Sequence, residues 1–379
     1  MMDQHQKTVL ALLRAALFQE PFEAPGETDW QKVFEAAAFQ AVQTLVAPLV
    51  PPEGSVPFRQ ALLQNRAHYM QILYEQDQLL ACLREAEIPA VVLKGVAAAR
   101  YYPTPCDRGM GDVDLLVPEK DYLRAVELLT EKGYQFLFEN RRHTEFQRNG
   151  VMAEIHRRFS SPEVDIESYL IAAFPFVCED VIDGHAFPLF PEAENGLVLL
   201  AHLRHHFKRS GLGLRHLTDW AMFVHAHPES SFWTEKFRPM AEGAGLWRFA
   251  LALTRLSRDR MGLPESVPGC ETIDPSLSDR LLDRFLSDGN FGDKVEEQER
   301  PVESVTLSIR NGNFFSLLQS AGQANWKACQ KHPFLRHFAF IYQFFRFLGK
   351  GIARLFSGKV GREMKEGNDR YSLYRDLGI

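Results

Sequence analysis

The chain has 379 residues, with 43 Lys and Arg against 49 Asp and Glu, for a formal charge of -6. That length allows two or three packed units, and 45% hydrophobic with 24% charged residues excludes wholesale disorder, a collagen-like repeat and a disulfide scaffold. The acidic balance argues against bulk nucleic acid as the main partner, because neutralising phosphates takes a cationic surface.

The N-terminal apolar run is broken by Arg14 and followed by Glu20 and Glu23, so no signal peptide is expected. Residues 1–87 read as a helical region; its best helix, 58–87, carries Leu62, Tyr69, Ile72, Leu73, Leu80 and Leu83 at helix spacing and stops before Pro89. The period then changes. Residues 90–93 form a short β-rich run, 95–102 a brief helix, and 113–117 a second buried strand. Pro118 and Glu119 open a helix that closes at Lys132-Gly133. Strands are expected at 134–139 and 144–148, and Asn149-Gly150 has the turn chemistry that would fold 151–159 back as a hairpin. The expectation is an α+β chain: a small mixed-sheet core at 88–160 flanked by N-terminal and C-terminal helical regions.

Residues 161–286 read as a helical region that completes a cleft, with helices at 192–209 and 214–226 joined through 210–213 and one hairpin around Asp183-Gly184. The polar, acidic stretch 287–303 reads as a mobile loop or linker. Residues 304–379 form a basic, aromatic helical region. Cys82, Cys106, Cys178, Cys270 and Cys329 are odd in number and contain no CxxC, so neither a disulfide framework nor a structural zinc site is expected, and a cytoplasmic setting fits.

The most informative string is residues 91–117, VVLKGVAAARYYPTPCDRGMGDVDLLV. On a strand, Asp112 and Asp114 project from the same face while Val113 points to the other. Two carboxylates in one small volume need solvent or a cation, and hard oxygen ligands suit Mg²⁺ or Mn²⁺. Glu154 and His156 likewise share one strand face, and if their strand lies beside that of Asp112, Glu154 completes an acidic triad able to hold divalent ions for phosphoryl transfer. Lys94-Gly95 ends the first strand, where backbone N–H groups can approach phosphate and Lys94 and Arg108 can supply positive charge. An Asp-x-Asp pair alone is a weak signal; the ordered combination is much more specific.

With these residues in view, the chain resembles the nucleotidyltransferase superfamily whose catalytic domain is similar to that of DNA polymerase beta, and in particular a largely uncharacterised bacterial nucleotidyltransferase family. The resemblance rests on the long helix, Leu93-Lys94-Gly95, Tyr102, Arg108 and Asp112 to Val117, then Glu154-Ile155-His156 and Leu214 to Asp219, over roughly residues 30–225. It implies a metal-dependent enzyme that transfers a nucleoside monophosphate from an NTP to an acceptor and releases pyrophosphate. Asp112, Asp114 and Glu154 would act as catalytic metal ligands. Where the wider superfamily has Gly-Ser or Gly-Gly at the phosphate turn, this chain has Gly95-Val96, which offers no hydroxyl.

Two clusters lie outside that pattern. His202, His205, His206 and Lys208 sit near one helix end and Arg215 and Asp219 on the next helix; Arg215 and Asp219 are spaced for an i,i+4 pair and the histidines to line a groove. In a functional role, Lys208 and Arg215 would close over phosphates, with His156 and Asp219 in support. From 327 to 365 the chain is rich in Lys, Arg and Phe, a composition suited either to packing or to weak peripheral contact with a membrane. The competing functions are a metal-dependent glycosyltransferase, whose Asp-x-Asp would hold a nucleotide-sugar, and a catalytically silent nucleotide-binding module.

Overall fold

The computed structural model describes residues 2–159, 164–209, 211–290, 314–326, 333–355 and 360–379. It forms two compact units, Met1–Asp293 and Lys294–Ile379. Most of the proposed linker, 291–303, lies outside the described residues, as do Ser210 and Cys329.

The first unit opens with helices α1 (Gln4–Phe18), α2 (Trp30–Phe39), α3 (Gln43–Val46) and α4 (Ser55–Glu85). The long α4 buries Phe58, Tyr69, Ile72, Leu73, Leu80 and Leu83. It ends where Glu87 takes a left-handed φ of 53°, with Ile88 N donating to Leu83 O and Glu87 N to Arg84 O. That pair of bonds satisfies the helix's last carbonyls as a Schellman motif does, and Pro89 prevents continuation.

Strand β1 (Val91–Leu93), helix α5 (Gly95–Ala99), strand β2 (Asp112–Leu116), helix α6 (Tyr122–Glu131) and strands β3 (Gln135–Glu139), β4 (His143–Arg148) and β5 (Val151–His156) build a sheet of order β1-β2-β5-β4-β3. Only β2 and β5 run parallel, with Asp112 opposite Met152 and Asp114 opposite Glu154. Asn149 and Gly150 both adopt positive φ, 50° and 81°, which is the two-residue turn that matches strand twist. The odd positions Val113, Leu115, Ala153 and Ile155 enter the core with α4 and α6. The even positions therefore face away from that core.

Several boundaries differ from the sequence reading, and three of them have a clear local reason. Residues 118–121 form a turn, with Asp121 N donating to Pro118 O, so α6 starts at Tyr122. The helix after Gly95 ends at Ala99, and Tyr102 N donates to Ala99 O just before Pro103. Strand β5 ends at His156 because Arg157 N and Arg158 N both turn to Arg142 O.

Helix α7 (Glu167–Ala173) and the hairpin β6 (Cys178–Ile182) and β7 (His185–Leu189) lead to helices α8 (Glu192–Arg209), α9 (Leu214–His225), α10 (Arg238–Gly243), α11 (Trp247–Met261) and α12 (Pro275–Asp288). Their core is aromatic, with Phe207, Trp220, Phe223, Trp233, Phe237 and Phe249 all buried. Gln40 ties the N-terminal helices to this layer: its Oε1 accepts from Leu214 N at 2.8 Å and its Nε2 donates to Phe285 O at 3.2 Å.

The segment entering β2 is held from both sides. Asp107 accepts from Arg66 of α4 at 2.7 and 3.1 Å, while Arg108 donates to both oxygens of Asp219 on α9 at 2.6 and 2.7 Å. Tyr102 OH completes the second anchor by donating to Asp219 Oδ1 at 2.7 Å. Bidentate geometry compensates the desolvation of both buried charges.

Two stability predictions follow from this packing. A Cβ at Gly196 of α8 would overlap the ring of Phe223, so Gly196→Ala should cost about 1–3 kcal/mol by overpacking and lower the melting temperature by several degrees; an unchanged melt would mean the ring does not seat there. Asp219→Asn should cost about 3–5 kcal/mol, because it strands the buried Arg108 charge, and denaturant titration of the variant measures it.

Candidate active site

Strand β1 delivers Lys94 in an unusual conformation, φ 51° and ψ -130°, a region that glycine occupies readily and a Cβ-bearing residue does not. Gly95 follows at φ 22°. The strain has a visible return: Lys94 Nζ reaches Asp114 Oδ1 at 2.7 Å, with the ring of Phe159 5.7 Å away. Helix α5 has only five residues, so its N-terminus carries too little dipole to hold a phosphate by itself.

Parity and register bring the acids together. Asp112 and Asp114 on β2 and Glu154 on β5 offer carboxylate oxygens that all lie within 4.8 Å of one another. His156 Nε2 lies 2.9 Å from Asp114 Oδ1 and 3.1 Å from Glu154 Oε2. Burial, reinforced by Asp114, pushes the Asp112 carboxyl up to about 7. Glu154 is driven the other way: burial opposes ionisation, but the hydrogen bond from His156 and the charge of Lys94 prevail and hold it well below the usual carboxylate range. For His156, burial favours the neutral ring, yet the bonds to Asp114 and Glu154 outweigh it and raise its pKa. Three carboxylates against Lys94 and His156 leave a site short of positive charge, and its hard oxygen donors fit Mg²⁺ or Mn²⁺. A second set, His143, Glu154 and His156, is equally close.

These groups line a cleft of about 320 Å³. Its other walls are His202, His205 and His206 of α8, Arg215 of α9, and Arg142 and Phe159 beside the sheet. Burial depresses the pKa of His202 strongly and that of His206 to about 3, so near neutral pH both present uncharged rings that can hydrogen-bond without adding charge. Arg215 donates to Gly109 O at 3.2 Å; burial first, then Arg108, pulls its pKa down.

Of the residues singled out from sequence, Lys94, Gly95, Arg108, Asp112, Asp114, Glu154, His156, Arg215 and the three α8 histidines line this cleft, and Lys208 and Asp219 do not. Lys94 joins the acids directly, through its ion pair with Asp114. Arg108 spends Nε and Nη2 on Asp219, which makes it a strut at the cleft wall. Asp219 engages Arg108 and Tyr102 through its oxygens, because Arg108 arrives fork-on from another element, and its charge also acts on Arg215 of the same helix. Arg142, His143 and Phe159 were not singled out. His143 was reachable: with Arg148 opposite Val151 across a two-residue turn, antiparallel register sets His143 opposite His156.

Comparison with known proteins places this geometry in a lineage. No curated protein matches the chain. The solution structure of the antibiotic-resistance factor ANT(2'')-Ia is similar at 14% identity and a TM-score of 0.34, over 46% of this chain and 90% of that one, a likeness too distant to carry an argument. Residues 26–262 match the family described as uncharacterised nucleotidyltransferase. That span takes in the whole sheet, the acid cluster and the α8–α9 wall, and the chain belongs to this family of nucleotidyltransferases.

Proposed function

We propose that the protein is a metal-dependent nucleotidyltransferase that moves a nucleoside monophosphate from an NTP to a hydroxyl or other nucleophile of a small-molecule, glycan or peptide acceptor and releases pyrophosphate. The observation that carries the reading is the convergence of Asp112, Asp114 and Glu154 from two parallel strands at a cleft that also holds Lys94 and Arg215. Asp112, Asp114 and Glu154 would hold Mg²⁺ or Mn²⁺, which when bound neutralises charge on the triphosphate and the leaving pyrophosphate.

The chain's own groups divide the remaining work. Glu154, kept ionised, suits a ligand and is too weak a base to take a proton. Lys94 and Arg215 place positive charge at the cleft for phosphate oxygens. The ring of Phe159 offers an apolar face on which a base can stack. His202 and His206, uncharged, supply hydrogen bonds on the facing wall without repelling a cation at the acids. The glycosyltransferase alternative gains nothing from the family match, and release of pyrophosphate in place of a nucleoside diphosphate separates the two.

Asp114→Asn should lower turnover by about 10²–10³-fold while leaving the circular dichroism spectrum unchanged; pyrophosphate release from each NTP with Mg²⁺ or Mn²⁺ measures it, and retained turnover would remove the acid pair from the mechanism. Metal binding should also follow pH. Because the folded-state pKa of Asp112 is raised to about 7, the folded protein binds more protons than the unfolded chain, and without metal its stability falls as pH rises from the ordinary carboxylate range through 7. A cation must displace that proton, so affinity should drop by up to about tenfold per pH unit below 7. Thermal shifts with Mn²⁺ at pH 6 and pH 8 test this, and equal shifts would contradict it.

A further inference from the structure

The second unit contains helices α13 (Phe314–Asn325), α14 (Ala339–Leu355) and α15 (Val360–Leu377), with a 3₁₀ segment, Pro333–Phe338, leading into α14. Where α13 meets α14, aromatic pairs (Phe315 with Phe340, and Trp326 stacked on Tyr342) sit beside small and polar groups. A Cβ on Gly322 would overlap the backbone at Ala339, and Asn325 Nδ2 donates to Oε1 of Gln343, which is only 3% exposed. The outward side is the reverse. Phe334 is 72% exposed and Phe345 63%, and Phe338, Ile341, Tyr342 and Phe344 are exposed beside them. With Gln343 turned inward and Ile341, Phe344 and Phe345 outward beside the partly stacked Tyr342, α14 departs from the pattern of a water-facing helix.

Charge indicates what covers this face. Between residues 327 and 365 the sequence has nine Lys and Arg and a single acid, Glu363, in a chain that is acidic as a whole. Arg336 is exposed and Arg346 half-buried at the edge of the apolar stripe. Exposed rings flanked by cations match the boundary between acyl chains and anionic headgroups, where rings enter the interface and long basic side chains reach the lipid charge. A lipid surface also asks for no shape-matched pocket. Among the described residues no helix is long and apolar enough to cross a membrane, so α14 would lie in the interface plane.

We propose that α14 and the 3₁₀ segment before it dock the protein on an anionic lipid surface through Phe334, Phe338, Ile341, Tyr342, Phe344 and Phe345. The test is vesicle sedimentation of the full-length chain, with phosphatidylcholine alone and with phosphatidylglycerol added. The anionic vesicles should take up at least about tenfold more protein than the neutral ones, and the double variant Phe344→Ser, Phe345→Ser should lose most of that difference with an unchanged thermal melt. Equal partitioning of wild type and variant overturns the proposal. So does light scattering that shows the variant splitting a dimer while neither form binds vesicles, since the face would then belong to a second copy of the chain. Neither readout depends on nucleotidyl transfer, so the docking proposal and the proposed reaction fail or stand separately.

Discussion

Three carboxylates share the end of two buried parallel strands, and their mutual repulsion in a poorly solvated setting is the constraint around which the first unit is arranged. The site meets it incompletely. Lys94 adopts a strained backbone conformation that lets its ammonium reach Asp114, and His156 bridges Asp114 and Glu154. Asp112 retains a proton-holding tendency that Glu154 does not share. A fully neutralised cluster would be more comfortable and would have less attraction for a cation.

The cluster keeps its shape because its approach is fixed elsewhere. Asp107 and Arg108, consecutive residues before β2, are bonded in opposite directions, to Arg66 on the long N-terminal helix and to Asp219 on α9. The sheet and the helical layer are thereby joined at the point from which Asp112 and Asp114 depart. Arg100 adds a second tie, pairing with Asp180 of the β6–β7 hairpin and Glu192 at the start of α8. The wall that bears His202 and His206 is positioned by the same helix that Glu192 begins. Substitutions at Arg66, Asp107, Asp219, Arg100 or Glu192 would therefore loosen the cleft without touching any group that lines it.

Much of this was legible in the sequence because it depends on short-range periodicity. Alternation within residues 112–117 and 151–156 assigns each side chain to a face, and Asn149-Gly150 announces the hairpin that brings β5 back. The helix boundaries at 192–209 appear as read. What the sequence withheld depends on distant contacts. The destination of Lys94 follows from a backbone angle, the partner of Asp219 lies more than a hundred positions away, and the effect of burial on the α8 histidines needs the whole helical layer in place. The resemblance to nucleotidyltransferases supplied the reaction class, which the family match then established.

The hairpin turn has a consequence for how this chain can change over evolutionary time. Because facing alternates residue by residue, adding or deleting one position between the turn and Glu154 would swing Glu154 and His156 into the interior and present Ala153 and Ile155 in their place. Exchanges of one side chain for another can retune such an enzyme gradually. A change of length in that strand would dismantle the acid cluster at a stroke, whereas insertions in the surrounding helical segments would leave it in place.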